Sequence, residues 1–296
     1  MKKCWDMIRK ISGKRGGMKV HHLSKHGATI TDVKDIANEI GETISKNSSS
    51  NSWNRKFSME ELMSSLAKSH DTAPGPDQIH YQILKHLPDL ALYSLLEIMN
   101  DIWDKGEFPD SWKEALIIPI PKPEKDHTNP NNYRPIALTS CICKTMERMI
   151  NERLLWYLET EALLSVFQSG FRKSRSTIDH LIRLETFIRE GFIKGEHVVA
   201  VFFDLEKAYD RTWKYGILKD LHEMGLRGKL PLMIKDFLSE RSFKVRMGNT
   251  LSESFEQEMG VPQGSILSVT LFIIKINSIA KCMKQGRDCS FFVDDF

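Results

Sequence analysis

Two apolar runs that end in aspartate constrain this chain more than any other feature of its sequence. Val198–Phe203 is an unbroken apolar stretch that stops at Asp204, and the mostly apolar stretch Cys289–Val293 runs into Asp294-Asp295. The first run reads as a strand buried on both faces and the second as an apolar strand. An acidic group attached to a buried strand is costly unless something compensates its charge. Three carboxylates brought together would repel one another and push their pKa values upward. A divalent cation removes that penalty, and ligation by oxygen alone suits Mg²⁺. Two such ions about 4 Å apart can activate a hydroxyl and stabilise a leaving group. Taken singly, each aspartate is also an ordinary strand-end cap.

Charge and cysteine content narrow the classes without choosing among them. The 296 residues carry a net charge of +3, which permits a polyanionic partner and does not demand one. With 41% hydrophobic residues the chain can bury a sizeable core. Its five cysteines are odd in number and show no paired CxxC spacing, which argues against a disulfide framework or a zinc site. Cys141 and Cys143 fall in a helical pattern and read as small buried residues. No apolar stretch reaches membrane-span length, and charges interrupt the N-terminal MKKCWDMIRK, so no signal peptide is read and a soluble, intracellular protein is expected.

Periodicity supplies the frame. A short helix over 5–11, an irregular basic stretch to residue 30 and a helix over 32–46 precede a polar linker at 47–52. Ser58 followed by Glu61 is a capping box that opens a helix through Lys68. The Pro/Gly loop 71–79 stops it, and helices follow at 78–86 and 89–105. Ala115–Ile120 reads as a strand, irregular or at an edge because of Pro119, Pro121 and Pro123. Helices are expected at 140–159, 176–194, 214–224, 229–239 and 265–283. A hairpin is expected around Gly248-Asn249.

Seven short motifs, read in order, carry a resemblance. Residues 203–210 (FDLEKAYD), 260–265 (GVPQGS) and 292–295 (FVDD) resemble the A, B and C motifs of reverse transcriptases. Upstream, residues 72–77 (TAPGPD), 117–122 (IIPIPK), 132–138 (NYRPIAL) and 168–172 (QSGFR) resemble the fingers segments of the non-LTR, LINE-type (jockey-like) branch. The resemblance implies an α+β right-hand polymerase with fingers and a partial palm, the thumb absent. The expected division is an N-terminal helical and linker region at 1–57, fingers at 58–195 and partial palm at 196–296.

The roles follow from the same resemblance. Asp204, Asp294 and Asp295 match the catalytic metal ligands, and the carbonyl of Leu205 would add one more. The cofactor implied is a pair of Mg²⁺ ions, with Mn²⁺ as a substitute. Tyr209 matches the aromatic gate whose ring would meet a ribose 2′-hydroxyl. Lys122 and Arg134 match the cations that clamp the triphosphate, a point charge and a planar fork suited to phosphate oxygens in different ways. Gln263 and Gly264 match the turn beneath the templating base pair. Asp210 matches the motif as a structural residue. The run 172–175 (RKSR) reads as a template-backbone contact or as a solvated loop. Partners implied are an RNA template, a DNA primer and deoxynucleoside triphosphates, with no membrane, and the family's life cycle implies nucleus and cytoplasm. Tyr209 and the PQGS turn argue against RNA-templated RNA synthesis.

Some positions depart from the pattern. The third motif is FVDD where YADD is more usual, Ser268-Val269-Thr270 stands where Ser-Pro-Thr is common, and Ser174 takes a place often held by glycine. Side chains alternate along a strand, so adjacent aspartates reach one centre most easily from a turn, which needs a returning strand. Only Phe296 follows Asp295. A second reading of a different class follows: a catalytically inactive truncated retrotransposon relic, at most a nucleic-acid-binding fragment. On that reasoning residues 1–296 by themselves are expected to show little or no primer extension.

Overall fold

The computed structural model describes residues 23–25, 28–30 and 52–282. The helices expected at 5–11 and 32–46, the strand at 289–293, and Asp294 and Asp295 lie outside the described residues. The basic stretch that reads as irregular contains two short strands, β1 (Leu23–Lys25) and β2 (Ala28–Ile30), paired antiparallel. Three-residue strands offer too few positions for a periodic signal to register.

Helices build most of the core. α1 (Met59–Ala67) opens with the capping box the sequence predicts: Glu61 N–H donates to the Ser58 hydroxyl and Ser58 N–H to the Glu61 carboxylate. α2 (Tyr81–Lys85) and α3 (Asp89–Lys105) follow, and α3 ends at Gly106 in the left-handed conformation. After α4 (Asp110–Lys113) and two strands described below comes α5 (Cys141–Thr160), whose first amides donate to the Ser140 hydroxyl. α6 (Thr177–Lys194), α7 (Lys214–Glu223), α8 (Lys229–Leu238) and α9 (Ile266–Asn277) complete the set among the described residues. Every residue of α9 from Thr270 to Asn277 is buried, the signature of a helix enclosed on all sides. One apolar cluster runs from Phe57 through α1, α3, α5, α7 and α8 to Ile274 of α9, and Cys141 and Cys143 lie in it as free, buried thiols.

The sheet is mixed. β3 (Glu114–Pro121) pairs antiparallel with β4 (Tyr133–Leu138) and parallel with β5 (Ser242–Met247). β5 turns through Gly248-Asn249 into β6 (Thr250–Leu251) and also pairs with β7 (Phe255–Glu256), so the expected hairpin forms. β3 is neither irregular nor wholly an edge. β5 accompanies Glu114–Ile117 and β4 accompanies Leu116–Pro121, so Leu116 and Ile117 lie between two strands, and Pro119 and Pro121 fall where only β4 pairs. Pairing of β3 with β5, more than 120 residues on, leaves no trace in a local pattern.

The apolar run 198–203 corrects the sequence reading. It forms no strand among the described residues, only an isolated bridge at Asp204, and Phe202 is 80% exposed. Val199 and Val201 are likewise exposed, as are Ile178, Leu181 and Ile182 of the preceding helix α6. Continuous hydrophobicity reports a preference for burial, and a strand also needs neighbours to pair with.

Candidate active site

The loop that follows residues 198–203 is shaped by glycines of a later segment. Val261 N–H donates to the Tyr209 carbonyl at 2.9 Å and Gly260 N–H to the Thr212 carbonyl at 3.0 Å, so loop 204–212 and the turn 260–265 are laced together. A Cβ on Gly260 would fall 2.6 Å from the backbone oxygens of both Tyr209 and Asp210, closer than any side chain could lie. Two residues on, the turn meets the sheet. Ala137 N–H of β4 donates to the Gln263 carbonyl at 2.8 Å, and Gly264 has φ +111° with its Cβ position 2.5 Å from the Ala137 oxygen. Only glycine tolerates both that torsion and that approach.

Between the loop, the turn and the β3–β4 ribbon lies an open cleft of about 1030 Å³. Asp204, Leu205, Tyr209, Lys122, Arg134 and Gln263 all line it. Six positions named from sequence, spread over more than 140 residues, therefore face one space. Gly264 lies at its edge against Ala137. Asp294 and Asp295 lie outside the described residues. Among the described residues no three metal-ligating side chains form a cluster.

The local contacts explain how individual side chains are held. Tyr209 stacks its ring on Phe272 of α9, with centroids 5.1 Å apart and planes at 24°. Lys122 donates its backbone N–H to the Asn132 carbonyl at 2.8 Å, continuing the β3–β4 ladder, while its ammonium reaches the Asn131 carbonyl at 3.3 Å. Lys207, in the left-handed region at φ 55°, extends its ammonium across to the Asn131 side-chain oxygen at 2.9 Å. That bond joins loop 204–212 to the loop at the end of the ribbon. Asp204 is exposed. Asp210 reaches solvent at the residue level, yet burial of its carboxyl raises its pKa above the usual carboxylate value, against the opposing pull of Lys207, Arg211 and Lys122.

The basic run 172–175 divides. Arg172 is spent within the protein: its guanidinium forks onto the Glu159 carboxylate at 2.8 and 2.6 Å and donates to the Ser165 and Gln168 carbonyls. A template contact through Arg172 would require breaking all four bonds. Lys173 and Arg175 stay exposed. Sequence reasoning missed Phe272, which reads as one more apolar position of a buried helix, and Lys207, which reads as a surface cation. Lys207 stands inside the motif 203–210 without a role of its own there, and Phe272 carries no signal beyond its place on an apolar helix.

The family model described as reverse transcriptase (RNA-dependent DNA polymerase) matches residues 120–296. The chain belongs to the reverse transcriptase family. It is similar to the RNA-directed DNA polymerase from mobile element jockey of Drosophila melanogaster, 37% identical over 217 residues. That match takes in 73% of this chain and 24% of the relative. The jockey polymerase of Drosophila funebris is 36% identical over 216 residues, 73% of this chain and 23% of its own length. The Pol polyprotein from retrotransposable element R2 of Popillia japonica is 25% identical over 219 residues, 74% of this chain and 29% of the relative. The chain thus spans about a quarter of the length of these curated relatives. This reverse transcriptase domain is of the non-LTR retrotransposon kind, as its motifs suggest. Reverse transcriptases use divalent metal ions, and no helix among the described residues is long and apolar enough to cross a membrane.

Proposed function

We propose that the chain provides the nucleotide-binding surface of an RNA-directed DNA polymerase that extends a DNA primer on an RNA template. In this reading residues 58–195 act as fingers and 196–296 as part of the palm, with 1–57 as an N-terminal region. The observation that carries it is the shared cleft, in which an exposed carboxylate, two cations, an aromatic ring and a glycine turn face one space.

Each residue then has a task. Lys122 and Arg134 hold the triphosphate of an incoming deoxynucleotide, and Lys207 keeps the two walls in register through Asn131. Tyr209, backed by Phe272, fills the space a ribose 2′-hydroxyl would need. Gln263 and Gly264 support the base pair from below. Asp204, joined by Asp294, Asp295 and the Leu205 carbonyl, would hold Mg²⁺, and this all-oxygen donor set suits a hard cation. When bound, two such ions favour loss of the primer 3′-hydroxyl proton and offset charge on the departing pyrophosphate. The protein's own contribution is positioning and electrostatic stabilisation. By analogy with the family, the enzyme works in nucleus and cytoplasm.

The test is primer extension on an RNA template by a full-length protein that contains this chain, with deoxynucleotides and Mg²⁺. Incorporation should vanish in Asp204→Ala and persist in a surface variant such as Lys105→Ala. Incorporation that survives Asp204→Ala overturns the proposal.

A further inference from the structure

Glu147 belongs to none of the seven motifs and does not line the cleft, yet it hydrogen-bonds the end of the turn that does. It lies in the middle of α5 and is 0% exposed. Its Oε2 accepts from the Ser265 hydroxyl, from Ile266 N–H at 2.8 Å and from Leu267 N–H at 3.4 Å. Its Oε1 accepts from the Cys143 thiol, one helical turn earlier, at 3.4 Å.

Those donors are the opening of α9. The first amides of a helix have no partner within it, and the helix end carries partial positive charge. Normally a side chain at the N-cap itself accepts from them. Ser265, the N-cap of α9, makes no such bond and instead donates its hydroxyl to Glu147. The cap is supplied from another helix, 118 residues earlier in the chain. A buried carboxylate left without partners would be strongly destabilising, so the geometry around Oε2 is what allows a charge there at all. Arg241, itself buried, contributes favourable charge but no hydrogen bond to Glu147.

Ser265 follows Gln263 and Gly264 directly. The turn is consequently pinned at two points: Ala137 of β4 binds the Gln263 carbonyl, and Glu147 of α5 binds the three donors just after Gly264. Ala137 and Glu147 are ten residues apart, joined through Thr139 and Ser140, both buried. One short stretch of chain therefore contacts the turn on both sides of Gly264.

We propose that Glu147 is a positioning residue for nucleotide binding, acting through the Gln263-Gly264 turn. This rests on the reading of that turn as the support of the nascent base pair. Loss of the carboxylate should loosen the seat of the nucleotide while leaving the Asp204 side of the cleft intact. The effect falls on KM for the deoxynucleotide, with kcat little changed.

The experiment pairs kinetics with amide exchange in a full-length protein that contains this chain. Glu147→Gln keeps shape and removes charge, and should raise the deoxynucleotide KM about tenfold, equivalent to about 1.4 kcal/mol, with kcat within about twofold. Ser265→Ala removes a single donor and should raise KM by about threefold, which keeps the test open if Glu147→Gln does not fold. In both variants the Ile266 and Leu267 amides should exchange faster than in the parent. Arg153→Lys on the same helix is the control: it lowers stability and leaves KM unchanged. A folded Glu147→Gln protein with KM within about twofold of the parent, or with kcat alone reduced, overturns the proposal. A parent protein that incorporates nothing overturns the polymerase reading instead. The amide exchange still decides whether Glu147 seats the turn, because protection of Ile266 and Leu267 unchanged by Glu147→Gln refutes that role.

Discussion

Replacement of Arg153 by methionine should cost this fold about 3 kcal/mol, and the contacts show why. Arg153 is 7% exposed and its guanidinium uses its donors fully. Nε and Nη2 fork onto the Glu61 carboxylate at 2.8 and 2.9 Å, and Nη1 and Nη2 donate to the carbonyls of Trp53, Arg55 and Lys56. The group also lies 4.1 Å from the centre of the Phe57 ring. Methionine preserves the packing of the stem and abandons all five bonds. Breaking a buried ion pair costs about 3–5 kcal/mol, and the lower end applies because Glu61 is partly exposed and can rehydrate. With a urea m-value of about 2 kcal/mol/M, the unfolding midpoint should fall by about 1.5 M, read by tryptophan fluorescence.

The same pair predicts a change in pH dependence. Burial pushes the Glu61 carboxyl upward, but the Arg153 hydrogen bonds, the Ser58 N–H and nearby positive charge outweigh it and hold the pKa below the ordinary 4.5. A depressed carboxylate contributes stability above its unfolded pKa and loses it as pH falls through the folded value. The parent should therefore weaken below about pH 4.5 in part through Glu61, and Arg153→Met should lack that share of the slope. A loss smaller than about 1 kcal/mol at pH 7, with the acid slope unchanged, would refute the view that this fork ties residues 53–57 to α5.

Two further outcomes test other parts of the structure. Tyr209→Val should admit ribonucleotides, with discrimination between deoxyribo- and ribonucleotides falling about tenfold to a hundredfold in competitive primer extension; unchanged discrimination rules out the gate. Lys214 is held at a pKa of about 8 by burial, assisted by Arg241, against an ordinary 10.5. Between those values the unfolded chain binds more protons, so its contribution to stability rises with pH over about 8 to 10.5. Allowing for solvent screening of a partly exposed ammonium, Lys214→Met should stabilise the protein by about 1 kcal/mol at pH 7 and flatten that rise, as read by urea unfolding. A Lys214→Met protein less stable than the parent would show that the bond from Lys214 to the Gln257 carbonyl matters more than desolvation.

What could be read from sequence was what short-range chemistry determines. Ser58 and Glu61 announce a helix start because both halves of the capping box lie within four residues. α3 is legible to the residue because its apolar stripe ends at a glycine suited to a left-handed cap. Gly264 is recognisable inside a motif, though the carbonyl it must accommodate belongs to β4. Contacts formed only by the folded chain were silent. Glu147 looks like one charge on an amphipathic helix until α9 is laid against it, and Arg172 looks like a free cation until Glu159 closes on it. Residues 198–203 show the opposite failure: hydrophobicity spoke clearly, but strand formation depends on pairing partners that no local pattern reports.

The prolines of the β3–β4 ribbon bear on how this surface behaves in company. Pro119 stands directly opposite Pro135, and Pro121 opposite Tyr133, so these are the non-hydrogen-bonded sites of an antiparallel pair. At such sites a backbone N–H points away from the partner strand, toward whatever approaches the ribbon's flank. Proline has none to offer. The substitution leaves the internal ladder intact and removes the outward donors with which a stray strand would register. Ile120 and Ile136 on the same ribbon are exposed, and an apolar strand edge of that kind is a ready template for aggregation. The ribbon can stand at the mouth of a cleft with an open flank and still be a poor partner for another β-strand.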